Sequence, residues 1–285
     1  MAIDAASGNG RSGNPALPAA EGRALAAAQL LAAHWREGRH LQALPEACRP
    51  TSADEGRAVQ AMWPAVAGER IAGWKIAATS LAGQRHIAVS GPIAGPVFES
   101  RVHGDGARLS LAHNGMRVAE CEIVFGIGHT LAPRGRPYTR AEVLAAVQAL
   151  HPGIEVPDSR FSAFEQAGEA QLIADCACCS HMLVGAAVAP DAAAIAALPA
   201  LVVRARVSDG RMPEGFGSHV LGDPVEALVW LVNELTTTGR TLQAGHFVTT
   251  GACVAPIPVL PGQQVEADFG WIGRISAHFI QGDTA

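Results

Sequence analysis

Met116-Arg-Val118-Ala-Glu120-Cys-Glu122-Ile-Val-Phe125-Gly-Ile-Gly128 reads as one long β-strand, because polar and apolar residues alternate along it. Successive strand side chains point to opposite faces, so Val118, Glu120 and Glu122 share one face and Ala119, Cys121 and Ile123 the other. Residues two apart lie roughly 7 Å apart along the strand. Two carboxylates inside an otherwise apolar strand are costly if buried without a partner. A divalent cation is the simplest partner for two adjacent acids, since hard cations take carboxylate oxygens. A third acid, Glu155, lies in another short apolar segment, Gly153-Ile-Glu-Val-Pro-Asp-Ser-Arg160. The competing reading is a strand with one solvated face that the acids merely decorate.

Outward from this strand, Glu21–Arg39 is Ala/Leu-rich and predicts a helix, and Ser52-Ala-Asp-Glu55 is a capping box that opens a second helix to about Val66. Arg70–Ala78 predicts a strand. Gly91–Phe98, with two prolines and two glycines, predicts a loop. Thr139-Arg-Ala-Glu142 caps a helix expected to reach Leu150, followed by a short strand at Gly153–Val156. A helix is expected over Phe164–Ile173 and strands over His181–Val188 and Val202–Val207. Asp223-Pro-Val-Glu226 has an acidic cap and a first-turn proline, so a helix runs from there to near Gly239. Strands near His246–Thr250, Gln264–Phe269 and Arg274–Phe279 complete the chain. Helices first and then mostly strands argue for an α+β fold with a mixed or antiparallel sheet. Residues 1–20 read as a disordered leader, 21–69 as a helical segment packed on the main domain, and 70–285 as that domain.

Composition narrows the function classes. Charged residues make up 16% of the 285 residues and apolar residues 49%, with a formal net charge of −5. That excludes a disordered chain, and the acidic balance argues against nucleic-acid binding. No stretch is long and apolar enough to span a membrane. No Gly-rich phosphate loop joins a strand to a helix. The start lacks the basic and apolar regions of a signal peptide. The six cysteines, three of them in Cys176-Ala-Cys178-Cys179, form a poor disulfide or zinc framework. Buried thiols of a cytoplasmic protein are the expectation. Of the 21 basic residues a single one, Lys75, is lysine. Lysine, unlike arginine, can change its protonation when buried.

Three motifs stand together in order and spacing: Gly73-Trp-Lys75-Ile-Ala-Ala-Thr79-Ser80, Glu120-Cys-Glu122 and Glu155-Val-Pro-Asp-Ser-Arg160. With Ile173-Ala-Asp175, Leu221-Gly-Asp-Pro-Val-Glu-Ala-Leu228, Leu242–Gly251 and Pro261–Gly270, they resemble the 2-keto-4-pentenoate hydratase / 4-oxalocrotonate decarboxylase family of the fumarylacetoacetase C-terminal-like superfamily. The resemblance covers most of the chain after the leader. It implies a mixed β-sandwich or roll with an N-terminal helical segment. It implies that Glu120, Glu122 and Glu155 hold Mg²⁺ or Mn²⁺, with Lys75 as the acid/base or carboxylate-binding group. Thr79, Ser80, Asp175 and Thr250 would contact or order the substrate. The expected partners are a small 2-oxo or 2-hydroxy-dienoic acid and further copies in a homo-oligomer, with a related decarboxylase or hydratase subunit as an alternative.

The activity so implied is addition of water to a 2-hydroxy-2,4-dienoate in aromatic-compound catabolism. The alternatives are a 2-oxo-3-enedioate decarboxylase and a non-catalytic partner subunit of the same fold. A nearby cation is expected to depress the Lys75 pKa. Two segments depart from the family pattern. Gly91-Pro-Ile93-Ala-Gly95 lacks the acid that hydratases usually carry there, and Cys176–Ser180 replaces an Asn- and Ser-containing run. Asp158 and Arg160 are expected to pair with each other or with the backbone.

Overall fold

The computed structural model describes residues 19–282, so the expected leader lies almost entirely outside the described residues. The Val118–Ile127 strand sits inside an eight-stranded mixed sheet. The order across it is Ile93–Phe98, Ile71–Ala77, Phe247–Ala252, Val118–Ile127, Val147–Val156, His181–Val184 and Val102–His103, and Ile257–Pro258 pairs with the start of the Val118–Ile127 strand. A second sheet of five strands runs Ala107–Ser110, Arg274–Ile280, Gln264–Asp268, Val202–Val207 and Glu214–Phe216.

The alternation read from the sequence sorts the two cores. Ala119, Cys121, Ile123, Phe125 and Ile127 face the five-stranded sheet and pack with Val203, Ala205, Val265, Ala267, Ile275 and Ala277. The Pro224–Thr237 helix closes this core through Leu228, Leu231 and Leu235. The opposite face carries Val124, which packs with Phe247, Met182 and the helices Ala19–Glu37 and Ala53–Ala67. Glu120, Glu122 and Lys75 therefore lie on the helix-covered face, away from the larger core. The helix termini form as expected. Ser52 accepts a hydrogen bond from the Glu55 amide at 3.2 Å. Asp223 accepts one from the Val225 amide at 2.9 Å, with Pro224 in the first turn.

Three sequence expectations are corrected. Gly91–Phe98 is not a loop, because Ile93–Phe98 is a buried edge strand paired antiparallel to Ile71–Ala77. An edge strand tolerates Pro96, since a missing donor costs little where no neighbour needs it. The helix capped at Thr139 stops at Leu144. The Ala/Leu-rich segment after it extends as the strand Val147–Val156, because pairing with Val118–Ile127 overrides helix propensity. Phe164–Ile173 divides into a 3₁₀ turn at Phe164–Gln166 and a helix at Glu169–Ala174.

Trp63 joins the helical layer to the sheet. It is 1% exposed. Its ring lies 5.4 Å from that of Trp35 and 6.0 Å from that of Phe98, and its indole donates to the Ala174 carbonyl at 2.8 Å. Trp63→Ala should lower the unfolding free energy by about 3–5 kcal/mol in denaturant titrations. A loss under about 1 kcal/mol would show that the helices do not stabilise the sheet.

Candidate active site

Strand pairing brings the three glutamates together. Glu120 lies directly across from Glu155, and Glu122 across from Gly153. One carboxylate oxygen of each of Glu120, Glu122 and Glu155 falls within 4.8 Å of the others. Glu122 and Glu155 are 0% and 2% exposed, which settles the alternative of a solvated acidic face. Glu122 is held by the Gly251 amide, which donates to Oε2 at 2.7 Å, and by the Thr249 hydroxyl. Glu122 Oε1 and Glu155 Oε2 are buried without a hydrogen-bond partner. Orphaned carboxylate oxygens converging on one point fit a hard divalent cation.

The electrostatics state the same need. Burial, followed by the neighbouring Glu155 charge, pushes Glu120 up to about 7. Burial, followed by the charges of Glu155 and Glu120, raises Glu122 well above the usual carboxylate range. Glu155 is raised by burial, against the pull of Lys75.

Lys75, 3% exposed, projects from Ile71–Ala77 into this cluster. Its Nζ lies 3.0 Å from Glu155 Oε1 and donates to the Ala177 carbonyl at 2.8 Å. Burial opposes its charge, but Glu155 and then Glu120 outweigh burial and raise its pKa. The carboxylates alone thus act against the expected depression, and a neutral amine requires a cation to offset them.

Lys75 and Glu120 open onto a cavity of about 860 Å³ that also reaches Thr79, Ser80, His86 and His219. Thr79 and Ser80 thus line the same cavity as Lys75 and Glu120. Ser80 also caps the Leu81–His86 helix, accepting from the Gly83 amide at 3.1 Å, so its hydroxyl proton stays free. Thr250 is placed elsewhere, because its hydroxyl donates to the Ile123 carbonyl at 3.0 Å. Its neighbour Thr249 is the threonine that reaches an acid. Asp175 is also away from the cavity. It forms a buried ion pair with Arg160 and accepts from the Ser159 hydroxyl at 2.8 Å. Arg160 therefore pairs with Asp175 rather than Asp158, whose carboxylate accepts from the Gly115 amide at 2.8 Å.

That buried pair anchors an unusual turn. Cys176, Ala177 and Cys178 have φ of 53°, 53° and 59°, three left-handed residues in a row without a glycine. Each costs roughly 1–2 kcal/mol relative to right-handed backbone. Arg160 Nη1 donates to the Cys179 carbonyl at 2.8 Å, and the Asp158 amide donates to the Cys178 carbonyl at 3.0 Å. Gly95 makes the turn possible from the other side. A Cβ there would stand 2.0 Å from the Cys176 carbonyl oxygen. The result is a carbonyl, that of Ala177, aimed at Lys75. No residue type signals a backbone acceptor, so the sequence does not reveal it. His219 is a second unforeseen group, since nothing in its local sequence ties it to Lys75.

No family model matches the chain. A 2-keto-4-pentenoate hydratase of Dechloromonas aromatica (strain RCB) is 30% identical over 258 residues, covering 89% of this chain and 96% of the relative. A 4-oxalocrotonate decarboxylase of Pseudomonas sp. is 31% identical over 212 residues, 73% of this chain and 78% of the relative. The solved 4-oxalocrotonate decarboxylase of Pseudomonas putida G7, complexed with magnesium and adipate, superposes with a TM-score of 0.80 at 25% identity over 94% of this chain and 100% of that one. An α+β chain with this glutamate cluster, similar over nearly its whole length to enzymes of both names, belongs to the 2-keto-4-pentenoate hydratase / 4-oxalocrotonate decarboxylase family.

Proposed function

We propose that the chain is a Mg²⁺- or Mn²⁺-dependent hydratase, a carbon–oxygen lyase that adds water to a 2-hydroxy-2,4-dienoate to give a 4-hydroxy-2-oxo acid. The observation that carries this reading is the cluster of Glu120, Glu122 and Glu155, with Lys75 beside it, at the wall of a cavity large enough to admit a small organic acid. A divalent cation held by the three glutamates would supply Lewis-acid stabilisation of the enolate charge at the substrate C2 oxygen.

The chain's own groups do the rest. Lys75 has three protons, and Glu155 and the Ala177 carbonyl take two of them. The third is available to the substrate carboxylate or for transfer. The hydroxyls of Thr79 and Ser80 are further donors to that carboxylate. In the five-carbon dienoate, ketonisation delivers a proton to C5 and leaves a 3-enoate conjugated to the 2-oxo group. Water then forms the C4–O bond, and a proton is delivered to C3. His219 suits the water step. Its Nδ1 lies 2.9 Å from the Cys253 carbonyl, which can only accept, so the ring proton sits on Nδ1 and Nε2 is left as an acceptor.

A decarboxylase is the second reading, favoured by one observation. The strand residue directly across from Lys75 is Gly95, and the segment leading to it, Gly91–Ala94, carries no acid. Loss of CO₂ from the distal carboxylate of a 2-oxo-3-enedioate sends its electron pair to the same C2 oxygen, so one charge-stabilising site serves both reactions. Further copies of the chain and a related subunit are the proposed protein partners, and the cytoplasm the proposed location. Among the described residues, no helix is long and apolar enough to cross a membrane.

Purified protein with Mg²⁺ should consume 2-hydroxypenta-2,4-dienoate, seen as loss of ultraviolet absorbance. CO₂ release from 2-oxohex-3-enedioate without dienoate loss would favour the decarboxylase instead. Inactivity on both substrates would favour the non-catalytic subunit. Lys75→Ala should lower kcat by roughly 10²–10⁴-fold while Mg²⁺ affinity stays the same or tightens. An active Lys75→Ala enzyme would remove its proposed role. Glu122→Gln should weaken calorimetric Mg²⁺ affinity by at least roughly a hundredfold. Because burial pushes Glu120 up to about 7 and raises Glu122 and Glu155 as well, and the acids must lose their protons to bind a cation, wild-type affinity should rise at least roughly tenfold from pH 6 to pH 8. A pH-independent affinity would contradict that assignment.

A further inference from the structure

Behind the wall of the substrate cavity lies a second cavity of about 260 Å³. Three short segments separate the two. Asn114, Asp158 to Arg160, and Ser180 with His181 line the second cavity, while the adjacent Gly115, Pro157 and Cys178 line the first. Its chemistry is one-sided. Five arginines and five histidines surround it, against a single carboxylate, Asp158. Arg160 is neutralised by Asp175, and Arg39 by Glu37. Among the described residues, Arg36, Arg101 and Arg108 have no carboxylate partner within ion-pair distance.

Arg101 is not a free surface arginine. Its guanidinium stacks 4.1 Å over the Trp35 ring, and Nη1 lies 3.4 Å from His181 Nε2. Its Nε is buried without a hydrogen-bond partner, as is Nδ1 of His34. His181 Nδ1 lies 2.9 Å from His103 Nε2. Burial, then the charges of Arg101 and His103, pushes His181 down to about 3. The Arg101 guanidinium, held by Trp35 and His181 at the cavity lining, is a planar donor group of the kind that carboxylates and phosphates take in bidentate fashion. Counting arginines and carboxylates alone, three unpaired arginines in the lining outnumber its one carboxylate, Asp158, by two.

We infer that this cavity is a binding site for a small, doubly charged oxyanion, a phosphate or a dicarboxylate, held by Arg101 and Arg108 and separate from the substrate cavity. A volume of about 260 Å³ suits a small ion rather than a macromolecule. The site does not depend on the proposed reaction, and its test does not use turnover.

The test is calorimetric titration of the full chain, treated with chelator, with inorganic phosphate and separately with succinate, in chloride buffer at constant ionic strength. At least one should bind with a dissociation constant below about 1 mM, and Arg101→Gln and Arg108→Gln should each weaken it about tenfold or more, about 1.4 kcal/mol. Arg108 is exposed on its strand, so that variant keeps the test valid if Arg101→Gln folds poorly. Glu122→Gln should leave oxyanion binding unchanged. Heats no larger than the chloride control would overturn the inference, as would wild-type affinity in both arginine variants. It would also be overturned if Arg108→Gln changed only the oligomeric mass, since that would assign the patch to contact between copies.

Discussion

Three carboxyl groups and one ammonium share a buried space, and the cost of ionising all three acids there is the constraint around which the structure is arranged. Burial raises Glu120 from 4.5 to about 7 and drives Glu122 and Glu155 the same way. A carboxylate whose folded-state pKa is raised contributes stability below its unfolded pKa and loses it as pH rises through the folded one. At neutral pH the cluster therefore works against folding until positive charge compensates it. Lys75 supplies one such charge, the Gly251 amide and the Thr249 hydroxyl a partial one, and a divalent cation would supply the rest. Burial that costs stability in this way is what the proposed catalytic role of the cluster would account for.

Lys75 owes its position to a second cost. Its carbonyl acceptor lies in the left-handed Cys176–Cys178 turn, which persists only because Arg160, Asp175 and the glycine at position 95 determine it from several sides. The buried Arg160–Asp175 pair is thus a support for the site rather than a part of it. Removing either partner would leave an uncompensated buried charge, and the turn would lose its anchor with it. The segments 91–95 and 176–180 meet at this place, with Gly95 against the Cys176 carbonyl.

What was legible in the sequence follows from periodicity and residue type. The period-two pattern of Val118–Ile127 placed Glu120 and Glu122 on one face, and the caps at Ser52 and Asp223 located two helices. The lone lysine stood out by composition. What stayed hidden depends on partners distant in the chain. The Ile93–Phe98 strand reads as a loop because its glycine and proline suit an edge strand only once its neighbour is known. Thr249 and Thr250 are equivalent in the sequence. Register alone sends the first to Glu122 and the second to a backbone carbonyl. The Arg160–Asp175 pair joins residues fifteen apart, with a 3₁₀ turn and a helix between them, and the Ala177 acceptor belongs to the backbone.

The claim that ties these points together is that a cation completes the glutamate cluster. Anomalous diffraction from crystals grown with Mn²⁺ at pH 8 tests it most directly. One strong peak is predicted, within about 2.0–2.3 Å of an oxygen from each of Glu120, Glu122 and Glu155. An empty cluster beside a peak elsewhere, or no peak at all under those conditions, would contradict it.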